Sequence, residues 1–223
     1  MPLRWVLFDL NGTLLDPSGI ARELGGEDEY GRIVEEAFDE ALLHSMADTL
    51  SGEYRSIPEY LRAALERRLI VAGHGTDRLD AAVRKAGAMD PFPEAAEALD
   101  RLRSGGLELA VLTNSSTESA ESSLNAAGLR ARFSKVIGSE TVRAFKPHPA
   151  VYRHGLDTVG SQPPEACMIA AHGWDVMGAK RVGMTTAWVS RKEGRLLATL
   201  PEPDVTGDDL VATADRILEV AHR

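Results

Sequence analysis

What most constrains this chain is a rhythm that starts near residue 93 and runs almost to its end. A short apolar run stops at a small or polar residue. A helical pattern follows and closes on glycine. Leu107 to Leu112 stops at Thr113-Asn114-Ser115, Lys135 to Ile137 at Gly138, and Ala166 to Ala170 at Ala171-His172-Gly173; Thr185 to Val189 is the last such run. The helical patterns cover Pro93 to Arg103, Thr117 to Ala127, His148 to Val159 and Trp174 to Val182. They close on Gly105-Gly106, Gly128, Gly160 and Gly183, each placed to supply the left-handed residue past a helix end. A final helix over Asp208 to Ala221 has Asp208 as its expected N-cap. Strands alternating with helices in this way imply a parallel sheet with helices on both faces. The first run, Leu3 to Phe8, reads as one more buried strand and ends at Asp9-Leu10-Asn11-Gly12-Thr13. Ligands of such sheets bind beyond the carboxyl ends of the strands. Asp9, Thr113, Asn114 and His172 all follow directly on strand candidates.

Residues 17 to 90 break the rhythm and hold no convincing strand. Glu29 to Leu50 sets Ile33, Ala37, Phe38, Ala41, Leu42, Met46 and Leu50 on one stripe. Pro58 to Ile70 does the same with Tyr60, Leu61, Ala64, Leu65 and Leu69, and Asp77 to Ala86 adds a third helix. The segment enters through Asp16-Pro17-Ser18-Gly19 and leaves through Asp90-Pro91-Phe92-Pro93, both proline-bearing hinges. The expected division is a core of residues 1–16 and 91–223 with a helical insertion over 17–90. The insertion hangs beside the Asp9 edge, where it can serve as a lid.

Composition excludes several classes. The apolar fraction of 43% is too high for a disordered chain. No run of eighteen apolar residues occurs, and Asp9 interrupts the first segment too early for a signal peptide. A net charge of −9 disfavours nucleic acid and anionic membrane surfaces as partners. The single cysteine, Cys167, can form neither an intramolecular disulfide nor a thiolate metal cluster. It falls in a strand candidate and reads as packing. A cytoplasmic setting is expected.

Taken singly, the polar residues are ambiguous. Asp9 fits a desolvated nucleophile and equally a turn-capping aspartate. Lys146, stiffened by Pro147 and Pro149, fits a cation aimed at a carboxylate and also an ordinary surface lysine. Asp175 suits the start of a helix by its charge alone. His172 fits a general base or a hydrogen-bonded loop residue. His44, His74, His148, His154 and His222 show no metal-ligand spacing.

Their order resolves more than their identities. An Asp in Asp-x-x-Gly-Thr, a Thr after a later strand, a Lys before a helix and an Asp after a further strand resemble the haloacid dehalogenase superfamily over the whole chain. The resemblance implies a Rossmann-like core with an α-helical cap and an aspartate nucleophile acting through a covalent aspartyl ester. The superfamily's phosphatases carry a second Asp where Asn11 stands and a metal-binding Asp where Ala171 stands. Here both are absent. The 2-haloacid dehalogenase branch needs neither, because a halide leaves without protonation. Thr113-Asn114-Ser115, Lys146-Pro147 with Tyr152 following, Gly173-Trp174-Asp175 and Ala187-Trp188-Val189-Ser190-Arg191 resemble that branch. Asn11 departs from it, standing where the branch has an aromatic residue.

The resemblance implies Asp9, Thr13, Thr113, Lys146, His172 and Asp175 as catalytic residues. Leu10, Asn11, Asn114, Trp174 and a cap arginine would bind substrate, with Arg32 first and Arg22 second for the arginine. It implies a small anionic substrate such as a 2-haloalkanoate, no metal cofactor, and a homodimer by analogy. Two other readings stay open at this point. One is a Mg²⁺-dependent phosphohydrolase, whose metal would have Asp9, Asn11 and Asp175 to hold it. The other is a binding protein that keeps the fold with its pocket filled.

Overall fold

Trp5–Phe8 (β1) loses nearly all contact with solvent because it lies in the middle of a six-stranded sheet. Glu108–Leu112 (β4) and Ala166–Ala170 (β6) flank it, both parallel, with Trp5 opposite Glu108 on one side and Ala166 on the other. The computed structural model describes residues 2–221; His222 lies outside the described residues. Lys135–Ile137 (β5) extends the sheet beyond β4, while Thr185–Val189 (β7) and Val205–Gly207 (β8) extend it beyond β6. The order is β5-β4-β1-β6-β7-β8, parallel throughout. The chain moves outward from β1 to β5, then crosses back to the other side of β1. That reversal opens a crevice at the carboxyl end of β1, where Asp9 sits.

Helices Ala95–Ser104 (α5), Thr117–Ala126 (α6), Pro149–Val159 (α7), Gly173–Arg181 (α8) and Leu210–Ala221 (α9) complete the core. They match the expected positions to within a few residues. Two differences have simple causes. The last helix is capped by Asp209, whose carboxylate accepts the Ala212 N–H at 2.7 Å, and Asp208 stands outside it. Strand β8 went unread because Val205 is the only large apolar residue of its three, whereas the equally short β5 has Val136 and Ile137. Cys167 is buried in β6, and burial raises its thiol well above the ordinary range, as expected of a packing residue.

The inserted segment holds four helices: Ser18–Leu24 (α1), Glu27–Ser51 (α2), Ile57–Val71 (α3) and Leu79–Ala86 (α4). The first was not read from the sequence. Short strands Leu15–Asp16 (β2) and Asp90–Pro91 (β3) pair antiparallel. The entry and exit of the insertion are therefore fastened to each other. Glu40 of α2, buried, takes Arg67 and Arg68 of α3, the latter at 2.6 Å. Leu50 departs from the expected buried stripe and is 87% exposed. In the last turn of α2 it is Thr49 that faces the core, accepting the Phe145 N–H at 3.0 Å.

Candidate active site

The site is built outward from Asp9. Its backbone N–H donates to the Ile169 carbonyl at 2.9 Å, extending the ladder and fixing the residue at the crevice. The loop that follows turns through Gly12 at φ +80°, a conformation that favours glycine. A Cβ there would also meet the His172 ring at 2.9 Å. Thr13 donates its hydroxyl to Asp9 Oδ2 at 2.8 Å and accepts the Ala171 N–H at 3.0 Å. The gap left by Ala171 is thus tied through its backbone.

Lys146 is fully buried, and all three of its ammonium protons are used. They go to Asp9 Oδ1 at 2.9 Å, to the Leu112 carbonyl at 2.9 Å and to Asp175 Oδ2 at 2.6 Å. The other Asp175 oxygen accepts from the Tyr152 hydroxyl at 2.7 Å. Asn114 holds the lysine from behind, its Oδ1 accepting the Lys146 backbone N–H at 2.7 Å. This directs the Asn114 NH₂ away from Lys146. Thr113 accepts the Ser115 N–H on its hydroxyl at 3.2 Å. His172 Nδ1 lies 3.3 Å from Asp9 Oδ2, with its ring stacked on Trp174.

Burial opposes the charge on Asp9, but the Lys146 ammonium and the His172 contact outweigh it. The Asp9 carboxyl is held well below the usual carboxylate range. Asp175 shifts the other way: burial raises it, Lys146 lowers it, and the nearby Asp9 charge adds to the rise. One cation stands between two carboxylates, and the net shift is down for Asp9 and up for the more deeply buried Asp175. Lys146 is raised above its ordinary value, because the two carboxylates overcome its desolvation. The arrangement presents an ionised oxygen nucleophile at the floor of an open cavity.

That cavity measures about 530 Å³ and lies between the strand ends and the inserted helices. Asp9, Asn11, Gly12, Thr113, Asn114, His172 and Trp174 line it, so the expected residues at the strand ends do converge. Asp9 is reachable and the pocket is not filled, which removes the basis for the non-catalytic reading. Lys146, Thr13 and Asp175 stand behind the wall. The Leu10 side chain is buried in the hydrophobic core, which leaves only its backbone to make the expected loop-amide contact. Neither Leu10 nor Asn11 donates its N–H within the loop, whereas Gly12 and Thr13 do.

Arg32 reaches only the rim, 88% exposed and paired with Glu36 at 2.8 Å. Arg22 does not line the cavity, and is paired with two residues that do, Glu27 and Ser18. Sequence reading missed two contributors. Tyr152 anchors Asp175. Arg191 lines the cavity, lies 3.6 Å over the Phe92 ring, and donates to the Thr13 carbonyl at 2.9 Å. Both stood within stretches that carried the resemblance, which was the available signal.

A Mg²⁺ ion does not fit these donors. Mg²⁺ is held by oxygen ligands, usually including one or two carboxylates with free lone pairs. Both Asp175 oxygens are committed to Lys146 and Tyr152, and the ammonium sits between Asp175 and Asp9. The Asn11 side chain is neutral and Ala171 has no side-chain ligand atom. Among the described residues no group of three His, Cys, Asp or Glu side chains is arranged for a metal.

Comparison with known proteins agrees with this geometry. Residues 3–183 match the family described as haloacid dehalogenase-like hydrolase, and the chain belongs to that family of enzymes. Among its relatives, (S)-2-haloacid dehalogenase 4A of Burkholderia cepacia is 30% identical, over 85% of this chain and 84% of its own. The (S)-2-haloacid dehalogenase of Xanthobacter autotrophicus is 31% identical, over 88% and 78%. The solved L-2-haloacid dehalogenase from Xanthobacter autotrophicus with chloropropionic acid covalently bound superposes with a TM-score of 0.86. The two share 26% identity over 96% of this chain and 98% of that one. No helix among the described residues is long and apolar enough to cross a membrane.

Proposed function

We propose that this enzyme hydrolyses 2-haloalkanoic acids to 2-hydroxyacids, with residues 17–90 acting as a cap over a core of 1–16 and 91–223. The observation that carries the reading is the Lys146 ammonium shared between Asp9 and Asp175, with Asp9 facing the cavity and Asp175 behind it. The relatives named for (S)-2-haloacids support the same stereochemical preference here.

An Asp9 oxygen attacks the α-carbon of the substrate. A C–O bond forms, the C–halogen bond breaks, and the halide leaves with its electron pair. The substrate carboxylate binds the Leu10 and Asn11 N–H groups. The Asn114 NH₂ faces the leaving halide. Water then attacks the carboxyl carbon of the Asp9 ester. The donors already on that carboxyl, Thr13 hydroxyl and Lys146 ammonium, stabilise the oxyanion as it develops. His172 is close enough to take the proton that water gives up. Collapse expels the alkoxide, which takes that proton from His172 and leaves as the 2-hydroxyacid, and the proton remaining on the carboxyl passes to solvent, restoring Asp9 as a carboxylate. Asp175 and Tyr152 position Lys146 and touch no substrate. Thr113 shapes the Asn114 turn, and Trp174 packs on His172 at the cavity wall. The exposed Arg32 has no part in this scheme.

Chloride release from (S)-2-chloropropanoate, measured with and without EDTA beside phosphate release from an aryl phosphate, tests the reading. Chloride release insensitive to EDTA is expected. EDTA-sensitive phosphate release without chloride would instead establish the phosphohydrolase.

A further inference from the structure

The cavity is much larger than a short haloacid needs. At roughly 30 Å³ per heavy atom, the share of volume a water takes in the liquid, 2-chloropropanoate fills about 180 Å³. The cavity holds about 530 Å³. The strand-end loops around Asp9 supply Asn11, Thr113, Asn114 and His172, and the inserted helices add Ser18 and the exposed Glu27, Arg32 and Glu35. The inserted helices also contribute an apolar stretch. Val34, Phe38, Ala41 and Leu42 repeat along one face of α2, and Ile57 and Leu61 along one face of α3. Val34, Ala41 and Leu61 are buried, and Phe38, Leu42 and Ile57 are half-buried. None of the six carries a donor or acceptor. The charged lining residues of the inserted helices, Glu27, Arg32 and Glu35, are exposed to solvent.

We propose that the cavity takes 2-haloalkanoates with an unfunctionalised tail, about six to eight carbons in all, in preference to two- and three-carbon acids. The proposal rests on the dehalogenase reading of Asp9. With the carboxylate and the halogen-bearing carbon held at the strand ends, the tail extends along the α2–α3 wall. A hydroxylated or charged tail is rejected, because this wall would strip its water and offer no partner in return.

The test is kcat/KM for halide release along 2-chloropropanoate, 2-chlorobutanoate, 2-chlorohexanoate and 2-chlorooctanoate. A rise of up to about 4-fold per added methylene is expected while room lasts, the usual worth of a buried CH₂. Release from 2-chloropropanoate that stays level or falls with length overturns the proposal. Calorimetric affinities of unhalogenated butanoate, hexanoate and octanoate give a second readout that needs no turnover. Affinity rising with length but no halide from any acid supports the tail site and overturns the dehalogenase reading. Leu42→Trp and Ile57→Trp, both at half-buried positions, should each lower the chlorohexanoate-to-chloropropanoate ratio of kcat/KM at least tenfold. An unchanged ratio in both folded variants overturns the proposal.

Discussion

Lys146 decides the electrostatics of the site, since its three protons meet three acceptors and two of those are carboxylates. Lys146→Met leaves Asp9 and Asp175 facing each other in a buried site. Removing one partner of a buried ion pair costs about 3–5 kcal/mol, and denaturant unfolding at pH 7 should show a loss of that size. The sign with pH follows from Asp9. Its carboxyl is depressed, so its stabilisation is present above the ordinary carboxylate value and is lost as pH falls through the folded one. In the variant a carboxyl proton replaces the missing cation, so the penalty should shrink towards acid pH. Activity follows the same groups. With Asp9 held down and Lys146 held up, neither changes charge between about pH 5 and pH 9. The Asp9-dependent acid limb of kcat/KM for halide release should lie below the ordinary carboxylate range in the wild type and move upward in Lys146→Met. Periodicity placed Asp9, Asn114, His172 and Asp175 at the ends of strand candidates or helix starts, but their roles and that of Lys146 came from the resemblance of their order to the haloacid dehalogenase superfamily. The placement of Arg32 was not legible in the sequence. The direction in which a surface arginine turns depends on neighbours such as Glu36, and no spacing rule encodes that choice.

At the scale of elements, the contact between α7 and α8 sets the position of Asp175. Gly178 of α8 admits the Tyr152 ring of α7, and a Cβ there would fall 2.4 Å from the Tyr152 hydroxyl. Gly178→Ala must displace Tyr152 and with it one of the hydrogen bonds on Asp175. Overpacking of this kind costs about 1–3 kcal/mol. Thermal unfolding should register it together with a lower kcat, while Tyr152→Phe should lower kcat with a smaller loss of stability. Activity unchanged in both would remove Tyr152 from the positioning chain. Helices α5 to α9 and the longer strands were readable because each spans enough residues to show its period. α1 was too short for that, and β8 has a single large apolar residue. The N-cap at Asp209 shows the usual boundary slip where two aspartates adjoin and only geometry selects one.

For the molecule as a whole, the β2–β3 ribbon joins the two ends of the inserted segment just beyond the Asp9 loop. The hinge prolines announced this junction, but the pairing of Leu15 with Pro91 is a contact across seventy-odd residues that local pattern does not reveal. The cavity volume was equally invisible, since it depends on how far α2 and α3 stand from the sheet. The arrangement makes the central chemical claim specific to one atom group: substrate is joined to the Asp9 carboxyl, and water opens that ester at the carboxyl carbon. Turnover of (S)-2-chloropropanoate in ¹⁸O-water with enzyme in excess, followed by mass spectrometry of peptides and product, tests it directly. The account predicts ¹⁸O in the peptide containing Asp9 and unlabelled oxygen in the 2-hydroxyacid from the first turnover. Label appearing in the first product, with the Asp9 peptide unlabelled, would contradict it.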